Sequence, residues 1–94
     1  MSDLVRHDTD RNRYVLMRGD REIGKSLYEL DGGIIRFTHT VTDADLEERG
    51  LGSRLVREAL DDVRATSSAR IVAECPFVAR FIAKHPEYQD LTTR

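Results

Sequence analysis

The first run of apolar positions is Tyr14-Val15-Leu16-Met17, and it predicts a strand starting near Arg13 after a polar, charged stretch from Asp8. Arg18-Gly19-Asp20-Arg21 carries turn chemistry, so Ile23 to Leu30 reads as a second strand in a hairpin with the first. Asp31-Gly32-Gly33 is another such turn, and Ile34 to Val41, rich in β-branched and aromatic residues, reads as a third strand. The pattern then changes period. Leu51, Leu55, Val56, Ala59, Leu60 and Val63 recur at helical spacing with charged residues between them, which predicts an amphipathic helix ending near Thr66-Ser67-Ser68. Ile71-Val72-Ala73 is a short strand suited to burial against that helix, and strand, helix, strand implies a right-handed crossover with parallel pairing. Pro76 fits the first turn of a second helix with Phe77, Val78, Phe81 and Ile82 on its apolar face, finishing before Pro86.

These elements describe an α/β (α+β) chain: a mixed, mostly antiparallel sheet of about four strands, a central helix and a second C-terminal helix. One domain over residues 1–94 is expected, with residues 1–12 as a flexible N-terminus. At 39% hydrophobic and 34% charged, the chain is apolar enough to fold and too polar to span a membrane. Fifteen Lys and Arg against seventeen Asp and Glu leave a net charge of −2, which offers phosphate backbones no general attraction, so nucleic acid is not expected as a partner. A single cysteine excludes an internal disulfide, and the N-terminal residues lack the apolar stretch of a signal peptide, so a cytoplasmic location is expected. Three histidines and one cysteine at these positions lack metal-ligand spacing.

Gly50 and Gly52 fall between a strand and a helix start, where unpaired N–H groups and the helix dipole together make an anion site. Gly-x-Gly alone is more often a tight turn without a ligand. The wider context is more specific. His39-Thr40-Val41, Arg49-Gly50-Leu51-Gly52-Ser53-Arg54-Leu55-Val56, Cys75-Pro76-Phe77-Val78 and His85-Pro86-Glu87-Tyr88-Gln89-Asp90-Leu91 occur in that order. From about Arg13 to Leu91 the chain resembles the GNAT superfamily of N-acetyltransferases, and most closely its small single-domain group. Two departures stand out. The first position of the family's turn, usually Arg or Gln, is Glu47, which weakens pyrophosphate binding unless it points away or Arg49 compensates. Full-sized members also place helices between their first two strands as part of the acceptor pocket. Here only Gly19-Asp20 fills that gap, leaving the acceptor side open or formed by a partner.

The resemblance implies acetyl transfer from acetyl-coenzyme A to an amine on a small molecule or protein, with no metal. It implies that Arg49, Gly50, Leu51, Gly52, Ser53 and Arg54 hold the pyrophosphate, and that Val41 and Thr42 offer main-chain groups to the pantetheine arm and thioester. Cys75 has two readings: a covalent acetyl carrier or a residue lining the thioester cleft. His39 is the candidate base. Because Ile35, Phe37, His39 and Val41 share one face of an ideal strand, it could equally be a core histidine. His85 and Tyr88 read as structural, with Tyr88 as a lesser candidate for protonating the leaving thiolate, and His7 reads as uninvolved. The competing functions are a non-catalytic acyl-coenzyme A-binding or regulatory module and an interaction domain whose glycines only shape a turn.

Overall fold

A computed structural model describes residues 3–43 and 50–94. Strands β1 (Asp3–Asp8), β2 (Arg13–Arg18), β3 (Arg21–Asp31), β4 (Ile34–Thr42) and β5 (Arg70–Ala73) form one sheet in sequence order. The first four pair antiparallel and β4 pairs parallel with β5. Helix α1 (Leu51–Thr66) joins β4 to β5, and α2 (Pro76–Lys84) is followed by a 3-10 turn over Pro86–Thr92. The mixed sheet, the helix after the glycine turn and the C-terminal helix match the architecture expected from periodicity.

Helix α1 buries Leu51, Leu55, Val56, Ala59, Leu60 and Val63 against the sheet. Burying a Leu or Val side chain contributes about 1.5–3 kcal/mol, so this stripe is the main attachment of helix to sheet. Helix α2 lies against α1, with the Arg57 guanidinium 5.6 Å from the Phe81 ring centroid. The C-terminal turn is tied to the same helix: the Tyr88 hydroxyl donates to Asp61 at 2.8 Å and Arg64 pairs with Asp90 at 2.8 Å. Tyr88 is buried and its hydroxyl is committed to Asp61 of α1.

The N-terminal stretch expected to be flexible instead contains the paired strand β1, with Val5 opposite Leu16 and His7 opposite Tyr14. The positions on its helix-facing side are Asp3, Val5 and His7, so no apolar periodicity marks it. His7 is solvent-exposed at this edge of the sheet and has polar partners. Its ring stacks on Tyr14 with centroids 4.1 Å apart, its Nε2 lies 2.6 Å from the Tyr28 hydroxyl, and its Nδ1 lies 3.2 Å from Asp62 of α1. Tyr14 donates its hydroxyl to the same Asp62 oxygen at 2.6 Å. Burial, then the hydrogen bond to Asp62 and its charge, pushes the Tyr14 phenol well above its ordinary range. Burial also raises Tyr28, helped by the Asp62 and Asp8 charges, so both phenols are neutral at physiological pH.

This network joins β1, β2, β3 and α1 through one carboxylate. Tyr14→Phe removes a hydrogen bond to a charged group and should lower the free energy of unfolding by about 1–3 kcal/mol. Urea denaturation measures this, and an unchanged midpoint would show that Asp62 does not hold the sheet to the helix.

Candidate active site

Parallel pairing of β4 with β5 runs only from Ile34 opposite Arg70 to Phe37 opposite Ala73. There the Phe37 carbonyl accepts the N–H of both Glu74, at 3.0 Å, and Cys75, at 2.9 Å, and the chain turns into α2. Strand β4 continues to Thr42, so its last residues have no β5 partner on that side. At the far end the Asp43 N–H donates to the Ile23 carbonyl at 2.8 Å. In an antiparallel ladder such bonded pairs recur at every second residue, so Val41 bonds toward Lys25 and His39 toward Leu27. The main-chain groups of Thr40 and Thr42 therefore face an edge that is unpaired among the described residues. Thr42, expected from sequence to meet the pantetheine arm, has its main-chain groups on this edge, whereas those of Val41 face β3.

A bulge alters the side chains of β4. Leu27 pairs with His39 but Tyr28 pairs with Phe37, so Thr38 is an extra residue and the alternation reverses there. Ile35 and Phe37 point into the core, and beyond the bulge Thr40 takes the inward position, its hydroxyl 2.9 Å from that of buried Ser26. His39 and Val41 consequently lie on the opposite face, His39 exposed and Val41 52% exposed. The expectation that Ile35, Phe37, His39 and Val41 share one face is thus corrected by one inserted residue. His39 is not a core histidine.

Cys75 sits on the other side of the sheet, 4% exposed and inside the main apolar cluster. Its N–H bonds Phe37 and its carbonyl accepts the Ala79 N–H at 3.0 Å as the N-cap of α2. The structure therefore does not bring His39 and Cys75 together.

The glycine turn meets α1 at Gly50, which caps the helix in a left-handed conformation with φ 85° and no side-chain cap. That conformation is costly for a residue with a Cβ, which is why glycine stands here. Arg54 N–H already donates to the Gly50 carbonyl at 2.9 Å, so the first-turn donors without helical partners are those of Leu51, Gly52 and Ser53. The first turn carries no acidic side chain. The Arg54 side chain is partly committed elsewhere, to Glu58 at 2.7 Å and to the Asp3 carbonyl at 2.6 Å. Glu47 and Arg49 lie outside the described residues.

Gly52 has a second reason to be glycine. A Cβ there would fall 2.7 Å from Cζ of Phe77, so the ring of α2 rests directly on the α1 backbone. Gly24 of β3 approaches the same helix, a Cβ on it lying 3.5 Å from Leu55 Cδ2, which sets the start of α1 over the β3–β4 end of the sheet. The donors of α1 and the unpaired edge of β4 thus occupy one end of the molecule. His7, by contrast, belongs to the Asp62 network packed on the second half of α1. The signal for it was the two-residue step from Val5 to His7, which only pairing with Leu16 and Tyr14 makes readable.

Among the described residues no group of His, Cys, Asp and Glu is placed to hold a metal, and no helix is long and apolar enough to cross a membrane. Residues 13–91 match a family model described as GCN5-related N-acetyl-transferase. No curated protein matches the chain.

The contact between Gly52 and Phe77 makes a signed prediction. Gly52→Ala alone should destabilise the fold by displacing the ring, whereas in a Phe77→Ala background the same change should stabilise it by up to about 1 kcal/mol through helix propensity. A denaturation double-mutant cycle reads the coupling, and additivity of the two changes would refute the contact.

Proposed function

Because this chain belongs to the GCN5-related N-acetyltransferase family, we propose that it moves an acetyl group from acetyl-coenzyme A to an amine, with the coenzyme seated between the start of α1 and the unpaired edge of β4. The observation that carries this reading is the end of β4–β5 pairing at Phe37, at the same end of the sheet as the uncapped helix start. The N–H groups of Leu51, Gly52 and Ser53 bind the pyrophosphate, with the Ser53 hydroxyl as a further donor. The arm of the coenzyme runs along β4, hydrogen-bonding main-chain groups of Thr40 and Thr42, and one of these N–H groups polarises the thioester carbonyl.

The acceptor approaches from the sheet face carrying His39 and Val41, where both side chains are exposed. The amine nitrogen forms a bond to the thioester carbon, and the carbon–sulfur bond breaks as the tetrahedral intermediate collapses. One amine proton passes to the imidazole of His39, and the departing thiolate takes a proton from solvent. Cys75 lines the cleft rather than carrying the acetyl group, since its sulfur is buried and His39 stands across the sheet from it. The acceptor class stays at an amine on a small molecule or a protein segment, and the open face suits either.

Transfer from acetyl-coenzyme A to a panel of amines tests this. His39→Ala should lower kcat by about 10²–10⁴ with coenzyme affinity unchanged, and Cys75→Ala should retain turnover. A hydroxylamine-sensitive acetyl adduct on Cys75, lost together with turnover in Cys75→Ala, would replace direct attack with a covalent route. Tight coenzyme binding without turnover on any amine would favour a regulatory module instead.

A further inference from the structure

Helix α2 presents Phe77, Arg80, Phe81 and Lys84 three, four and seven positions apart, and so along one stripe. With Ser53 of α1, these residues line a cleft of about 170 Å³ between the two helices. Phe77 is 38% exposed, and Phe81 beneath it is buried and stacks on His85 with centroids 4.0 Å apart. Arg80 and Lys84 are exposed, and neither makes an ion pair or hydrogen bond among the described residues. The cations of α1 are placed differently: Arg54 and Arg64 are tied to Glu58 and Asp90, and Arg57 lies over the Phe81 ring. Two like charges four residues apart on a helix repel by a few tenths of a kcal/mol, a cost that a bound anion reverses.

We infer that this cleft receives the 3′-phosphoadenosine end of the coenzyme, with its 3′-phosphate on Arg80 and Lys84 and its purine against Phe77. The inference rests on the coenzyme reading above. Ser53 belongs to both places: its N–H is among the pyrophosphate donors at the start of α1, and its side chain lines the cleft. From the pyrophosphate the pantetheine arm leads toward β4, so the nucleoside leads the other way, and the 3′-phosphate lies one ribose further on. A phosphomonoester carries nearly two negative charges at neutral pH and calls for two cations. A purine calls for an aromatic plane, and such stacking contributes about 1–3 kcal/mol. The stripe on α2 offers both at adjacent positions.

Calorimetry on the full chain with coenzyme A, 3′-dephospho-coenzyme A and adenosine 3′,5′-bisphosphate tests the assignment. The protein should bind coenzyme A about ten- to a hundredfold tighter than the dephospho form, the range for charge-assisted hydrogen bonds. Arg80→Gln with Lys84→Gln should abolish that preference and the binding of the bisphosphate, leaving affinity for the dephospho form unchanged. Phe77→Ala should weaken both coenzymes alike, since both carry the purine. Equal affinity of the unsubstituted protein for the two coenzymes would overturn this inference and leave the coenzyme reading standing. Equal weakening of both by the Arg80 and Lys84 changes would overturn it by moving those cations to the pyrophosphate. Failure to bind either coenzyme would overturn both readings.

Discussion

The carbonyl oxygen of Phe37 accepts two N–H groups, from Glu74 and Cys75, and the candidate site depends on that shared acceptance. It closes the parallel ladder after Ala73 and turns the chain into α2, while β4 runs on to Thr42. A strand continuing past its neighbour exposes main-chain donors and acceptors that the sheet would otherwise consume. Had β5 stayed in register with β4 for its whole length, no edge would remain to align a ligand against. The same turn places Cys75 at the head of α2 and Phe77 against Gly52, so the two helix starts meet beside the opened edge.

The bulge at Thr38 is the second constraint. It allows β4 to be apolar inward at Ile35 and Phe37, where α1 and the aromatic cluster need it, and polar inward at Thr40, opposite Ser26. By the same shift it sends His39 to the far face. A coenzyme held by α1 and an acceptor arriving past His39, as proposed, would then approach the opening from opposite sides without competing for one path.

Distance from this opening separates the remaining titratable groups. Asp62 gathers Tyr14 and His7 in a network that fastens β1 to the second half of α1, and Asp61 and Asp90 hold the C-terminal turn to the same helix through Tyr88 and Arg64. These contacts stabilise the scaffold from the end opposite the glycine turn. The first helical residues after Gly50 carry no acidic side chain, as an anion site requires.

Local periodicity and turn chemistry were enough to read the β-meander from Arg13, both helices, the parallel strand β5 and the position of the glycine turn. Leu51 to Val63 could only be an amphipathic helix, and Gly50 could only mark a backbone turn before it. Strand β1 was hidden because its helix-facing side carries His7 after Val5, and that solvent-exposed histidine joins the sheet only through Tyr28 and Asp62, 21 and 55 positions away in the chain. The side of the sheet on which His39 lies was equally illegible, since an ideal strand alternates strictly and a bulge appears only when two strands pair. The cleft of Arg80 and Lys84 needed the approach of Phe77 to Gly52, a contact between separate helices. These three features emerge only on packing, because each depends on partners that no local window contains.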